Sequence, residues 1–88
     1  MVSHEEIAEM MISELAEIFM LDKEYVKAHP ELRLREDLAA TSMHYFPLIA
    51  ALEEKLDIEV EFHEFQEHTP TVQATIDYAI ELYEAQQK

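Results

Sequence analysis

Thr41-Ser42-Met43-His44-Tyr45-Phe46-Pro47-Leu48-Ile49-Ala50-Ala51-Leu52-Glu53-Glu54-Lys55-Leu56-Asp57 is the stretch whose periodicity decides how this chain folds. Apolar residues at Met43, Phe46, Ile49, Leu52 and Leu56 recur three or four apart, the spacing of one helix face. Ser42 is a good N-cap for that helix and Thr41 a plausible competitor, since either hydroxyl can accept from a first-turn amide. Pro47 falls at the fifth helical position counted from Ser42. Its ring removes one backbone hydrogen bond and predicts a kink in the first turn and a half. Tyr45 and Phe46 are neighbours, so one of them must point away from the core. The pattern puts Phe46 inward and leaves Tyr45 as an exposed contact residue.

Upstream, Ser3-His4-Glu5-Glu6 has the form of a capping box. Ile7, Met10, Met11, Leu15, Ile18 and Phe19 then mark a helix from about residue 4 to about residue 20, with Glu5, Glu9, Glu14 and Glu17 outward. Between Asp22 and Thr41 the period is lost. Asp22 can cap a short turn through Val26, Pro30 stops helix at His29, and Tyr25, Leu32, Leu34 and Leu38 are the side chains able to pin a long loop to the core. Downstream, Ile58 and Val60 alternate with acids in a short extended connector. Phe62 and Phe65 suit a short helix from about residue 61 to about residue 67. Thr71 caps a last helix with Val72, Ile76, Ala79, Ile80 and Tyr83 on its inner side. The expected architecture is all-α: one domain over residues 1–88, a four-helix bundle of three longer helices and one short one, with a long first loop.

Composition narrows the function. The 88 residues hold 20 Asp+Glu against 6 Lys+Arg, a formal net charge of −14. Nucleic-acid backbones and anionic membrane surfaces are poor partners for such a chain, and a basic protein surface is a good one. The 49% of hydrophobic residues separates it from acidic disordered tails. With no Gly there is no Gly-rich phosphate loop, and with no Cys there is no disulfide, thiolate site or Cys nucleophile. No apolar run is long enough to span a membrane, and the first residues lack the basic-then-apolar order of a signal peptide. A soluble, cytoplasmic monomer is the expectation.

Few residues stand out for chemistry. A serine at a helix N-terminus sits where unpaired amides and the positive helix end converge, so a phosphate esterified to Ser42 would be electrostatically welcome; a plain cap is the simpler role. The block Glu53 to Glu67 holds seven acids against Lys55 alone. Glu53, Glu54 and Asp57 lie in or just past the last turn of their helix, where the dipole disfavours acids, which points to a basic partner as readily as to a solvated face. The five histidines lack metal-pair spacing, His63 and His68 being five apart, so no metal site is expected. His44 is two residues from Ser42 and on a different helix face, and no elbow glycine is present, which discounts hydrolysis.

Taken together, Leu34-Arg35-Glu36-Asp37-Leu38, Ala39-Ala40-Thr41-Ser42-Met43, Leu48 through Val60, and Thr71 through Tyr78 resemble the acyl carrier protein family over essentially the whole chain. The resemblance implies an acyl-carrier-like bundle and 4′-phosphopantetheine on Ser42, taken from coenzyme A by a phosphopantetheinyl transferase. It implies a non-catalytic carrier of acyl thioesters for acyl-activating, synthase or acyltransferase enzymes with basic docking surfaces. Thr41, Met43, His44, Tyr45, Glu53, Glu54 and Asp57 are then the docking residues, and Phe46, Ile49, Leu52, Phe65 and Ile76 the lining for an acyl chain. Departures from the family pattern are Thr41 for its Asp, Ala39 for its Gly, Met43 for its Leu, Pro47 for a Glu and Glu61 for a Pro. They imply a specialised member serving polyketide or unusual lipid pathways. The alternative is a carrier-like interaction module that is never modified.

Overall fold

A computed structural model describes residues 2–87 and holds five helices: α1 His4–Ile18, α2 Lys23–Ala28, α3 Ser42–Leu56, α4 Phe62–His68 and α5 Val72–Ala85. Each starts on a side chain that satisfies a first-turn amide. Ser3 and Glu6 form the expected reciprocal box, with Glu6 N–H to Ser3 Oγ at 3.1 Å and Ser3 N–H to Glu6 Oε1 at 2.9 Å. Asp22 accepts from Glu24 N–H, Glu61 from Glu64 N–H and Thr71 from Ala74 N–H.

The all-α class and the three long helices stand as expected, and two local expectations are corrected. The first loop contains a real helix, α2, whose one buried residue is Val26. Tyr25 is 44% exposed and tilts against His29 outside the core, so Val26 is the anchor there instead. A six-residue helix with a single inward residue carries no period to read. The rest of the loop lies along the start of α5. Leu34 N–H donates to Pro70 O, Val72 N–H to Leu32 O and Gln73 N–H to Pro30 O, at 2.9–3.0 Å. Leu34 is fully buried, while Leu32 and Leu38 pack on the core edge.

α1 packs against α2, α3 and α5, and α4 joins α3 to α5. One core runs through them, with Ile7, Met11, Leu15, Leu34, Leu48, Leu52 and Phe65 all at 0% exposure. The two buried threonines are paired: Thr69 Oγ1 donates to Phe65 O and Thr75 Oγ1 to Thr71 O, both at 2.7 Å.

A chain without glycine still needs left-handed residues where helices and turns end. Met20, Ala39 and Asp57 occupy that region with φ of 58°, 55° and 55°. Met20 sits at the glycine position of a Schellman motif, in which Leu21 N–H reaches Ala16 O and Met20 N–H reaches Glu17 O. A Cβ at such a position costs on the order of 1 kcal/mol. Ala39→Gly is therefore expected to raise urea-unfolding stability by about 1 kcal/mol, against the usual effect of adding glycine. A loss of stability would contradict the left-handed turn three residues before Ser42.

Several caps also set the acid limit of the fold. Backbone and then side-chain bonds from Ser3 hold Glu6 below its ordinary 4.5. The Arg33 amide holds Asp37 below 3.8, and the Glu64 and His63 amides hold Glu61 below 4.5. A depressed folded value means stability present above the unfolded value and lost as pH falls through the folded one. Unfolding free energy should thus drop below about pH 4.5. The combined Glu6→Gln, Asp37→Asn, Glu61→Gln variant should lose less of it than the parent on acidification. An identical acid limb in both proteins, followed by urea unfolding at stepped pH, would count against these bonds.

Candidate functional site

The head of α3 differs from expectation in a way that bears on Ser42. Thr41 is the N-cap: its backbone is extended (φ −128°, ψ 179°) and Ser42 is the first helical residue. Thr41 Oγ1 accepts from Met43 N–H at 3.3 Å, and Thr41 N–H donates to His44 Nδ1 at 3.0 Å. His44 takes the place that Glu or Gln holds in the usual box. Since Nδ1 accepts from an amide, the ring proton of the neutral imidazole is on Nε2. The His44 ring also stacks on Phe19, with centroids 4.5 Å apart, which ties the end of α1 to the start of α3. A box centred on Ser42 would need its third helical residue to turn back, and that residue is Tyr45, whose ring is drawn into the core. Ser42 is consequently exposed, and no hydrogen bond among the described residues uses its hydroxyl.

Tyr45 and Phe46 have exchanged their expected places. Tyr45 is 1% exposed and Phe46 58%. Each step of three residues falls about 60° short of a full helical turn, so Met43, Phe46, Ile49 and Leu52 drift through about 180°. Met43 therefore lies opposite Leu52 and is 80% exposed. Tyr45, Leu48, Ile49, Leu52 and Leu56 are the true inner stripe. Tyr45 as a docking residue and Phe46 as a core lining residue are both corrected on this ground.

The remaining site residues divide by burial. Ile49, Leu52, Phe65 and Ile76 come together in the core, none more than 7% exposed. Phe46 instead tilts against half-buried Phe62 on the outside, with centroids 4.8 Å apart. With Met43 and the exposed Pro47 it forms an apolar face one turn beyond Ser42. Pro47 leaves Met43 O without its helical partner on this solvated side, and α3 continues through it to Leu56. Glu54 and Asp57 are exposed at the far end, where Asp57 is the left-handed cap. Glu53 is engaged locally, accepting from Val60 N–H at 3.0 Å, and so holds the 58–61 connector against α3.

Three features lay outside the sequence reading. The contact between Phe46 and Phe62 is one. A second is a group of possible ligand atoms on Glu64, Glu67 and His68, all within 4.8 Å of one another and all exposed. Counting histidine pairs alone passes over that spacing of three and four. The third is a cleft of about 520 Å³ between the 35–36 turn, α3 and α4, with Arg35, Tyr45, His63 and Gln66 among its walls. No described helix is long and apolar enough to cross a membrane. No family model matches the chain.

Proposed function

We propose that this chain is an acyl carrier, bearing 4′-phosphopantetheine on Ser42 and acyl groups as thioesters on the thiol of that arm. The transferase moves the group from coenzyme A: the Ser42 oxygen forms the new bond to phosphorus, its proton goes to a base on the transferase, and 3′,5′-ADP leaves. The observation that carries the reading is the division of labour at the head of α3. Thr41 and His44 close the cap, which leaves the Ser42 hydroxyl exposed and uncommitted at the positive helix end. The surroundings fit a phosphodiester, because the first turn of α3 holds no acid to repel it. The arm supplies a thiol, which the Cys-free chain lacks.

The carrier itself catalyses nothing in this reading. Its partners are the transferase and the acyl-activating, synthase or acyltransferase enzymes of fatty-acid, polyketide or related lipid pathways. Their docking surfaces have an apolar centre for Met43 and Phe46 and basic groups for Glu54 and Asp57. Intact mass after incubation with coenzyme A and a broad-specificity transferase tests the proposal. One added phosphopantetheine on the parent, and none on Ser42→Ala, is the expected result. The exposed Met43 and Phe46 favour a second reading, an unmodified docking module, since that face works without an arm. No gain of mass, with a control carrier modified in parallel, selects the second reading.

A further inference from the structure

We infer that His44 is a proton-operated latch that positions Ser42: the neutral ring closes the first turn of α3, and protonation opens it and slows modification of Ser42. The modification half rests on the reading of Ser42 as the attachment point; the latch itself does not. Of the five histidines, four keep their described bonds when a second ring proton is added. His4, His63 and His68 each face a carboxylate, on Glu84, Glu61 and Glu64. His29 Nδ1 donates to Tyr25 O, a bond that imidazole and imidazolium both make. His44 is the exception. Its Nδ1 accepts from Thr41 N–H at 3.0 Å, so that bond needs a ring lone pair.

Protonation puts a hydrogen on that nitrogen, and two donors then face each other. Thr41 Oγ1 lies 3.3 Å from Nδ1, but it already accepts from Met43 N–H. The half-buried ring has the alternative of turning out to water. On either course Thr41 N–H loses its acceptor, and the box keeps one bond of two. Nearby charge does not offset the loss. The groups that meet the ring are Phe19 from α1 and Thr41 from the preceding loop, both uncharged. The first turn of α3 holds no acid, and among the described residues no ion pair reaches the ring. Glu17, the titratable group in the last turn of α1, is exposed, and its charge bears on Lys55. A cation in the first turn also meets the positive helix end.

The consequence falls on Ser42 because it stands between the two capped residues, Thr41 and Met43. When that turn frays, the Ser42 oxygen leaves its fixed place at the helix N-terminus. The same ring lies flat on Phe19, so opening the latch also frees the end of α1 from the head of α3.

The test follows the latch and its consequence separately. Uniformly ¹⁵N-labelled protein is titrated between about pH 8 and about pH 5, the range in which imidazole changes charge. The Thr41 amide shift should move together with the His44 ring signals. His44→Gln keeps an acceptor at the box position and removes the titration, so the Thr41 amide should stay constant there. A Thr41 amide that ignores the His44 titration, or that still follows pH in His44→Gln, would overturn the latch. Modification is read as the transferase's kcat/KM for the parent relative to His44→Gln, a ratio that cancels the enzyme's own pH dependence. The ratio should fall about threefold to tenfold across the range, the worth of one hydrogen bond. A constant ratio beside a moving Thr41 amide would overturn the coupling to Ser42. A Thr41 amide that titrates in a chain the transferase refuses at every pH would overturn the carrier reading and leave the latch standing.

Discussion

Ser42→Ala is expected to abolish phosphopantetheine attachment completely while changing unfolding free energy by no more than about 0.5 kcal/mol. The small stability effect follows from the cap. Thr41 Oγ1, not Ser42 Oγ, accepts the first-turn amide, and Ala at a first helical position is a good helix former. Thr41→Ala should behave in the opposite way. It removes the cap acceptor and should cost about 1 kcal/mol, yet leave the Ser42 oxygen available for modification. The pair separates the structural hydroxyl from the chemical one, by intact mass on one axis and urea unfolding on the other. A Ser42→Ala protein that unfolds would return Ser42 to a structural role. A folded Thr41→Ala protein that is no longer modified would mean that the transferase reads Thr41 itself.

Local signals made most of this fold legible. Ser3, Asp22 and Thr71 announce helix starts because a cap is a contact over two or three residues, and all three caps are present. The Thr41–Ser42 choice was the exception, since it depends on whether residue 44 or residue 45 can turn back, and core packing decides that. The phase of α3 was misread for a related reason. Steps of three look helical but precess, so only the long spacing from Tyr45 to Leu52 and Leu56 keeps to one side. The left-handed turns at Met20, Ala39 and Asp57 could not be read because the usual marker, glycine, is absent. At the site, the position of Ser42 was readable from a single helix start. The cleft was not, because it gathers residues from three segments, around 35, 45 and 63–67, none of which carries a pattern pointing to the others.

The reversal of Tyr45 and Phe46 predicts the largest stability effect in the molecule. Tyr45→Ala removes a 1%-exposed ring wedged against Phe62 and Phe65 and should cost about 3–5 kcal/mol. That is a large share of the roughly 5–15 kcal/mol that holds a domain folded, so partial unfolding at room temperature is the expected outcome. Phe46→Ala gives up only a surface contact with Phe62, about 1 kcal/mol, and the protein should stay folded. Its effect should fall on partner association instead, because it strips the centre of the apolar face beside Ser42 and leaves the acidic rim to bind alone. Urea unfolding of the two variants, with binding to the modifying transferase measured for Phe46→Ala, settles the orientation. A greater stability loss for Phe46→Ala than for Tyr45→Ala would restore the phase read from the three-residue steps. Tyr45→Phe adds a finer cut. No hydrogen bond among the described residues uses the Tyr45 hydroxyl, so its removal should leave stability nearly unchanged. The core requires the ring and not the oxygen at its tip.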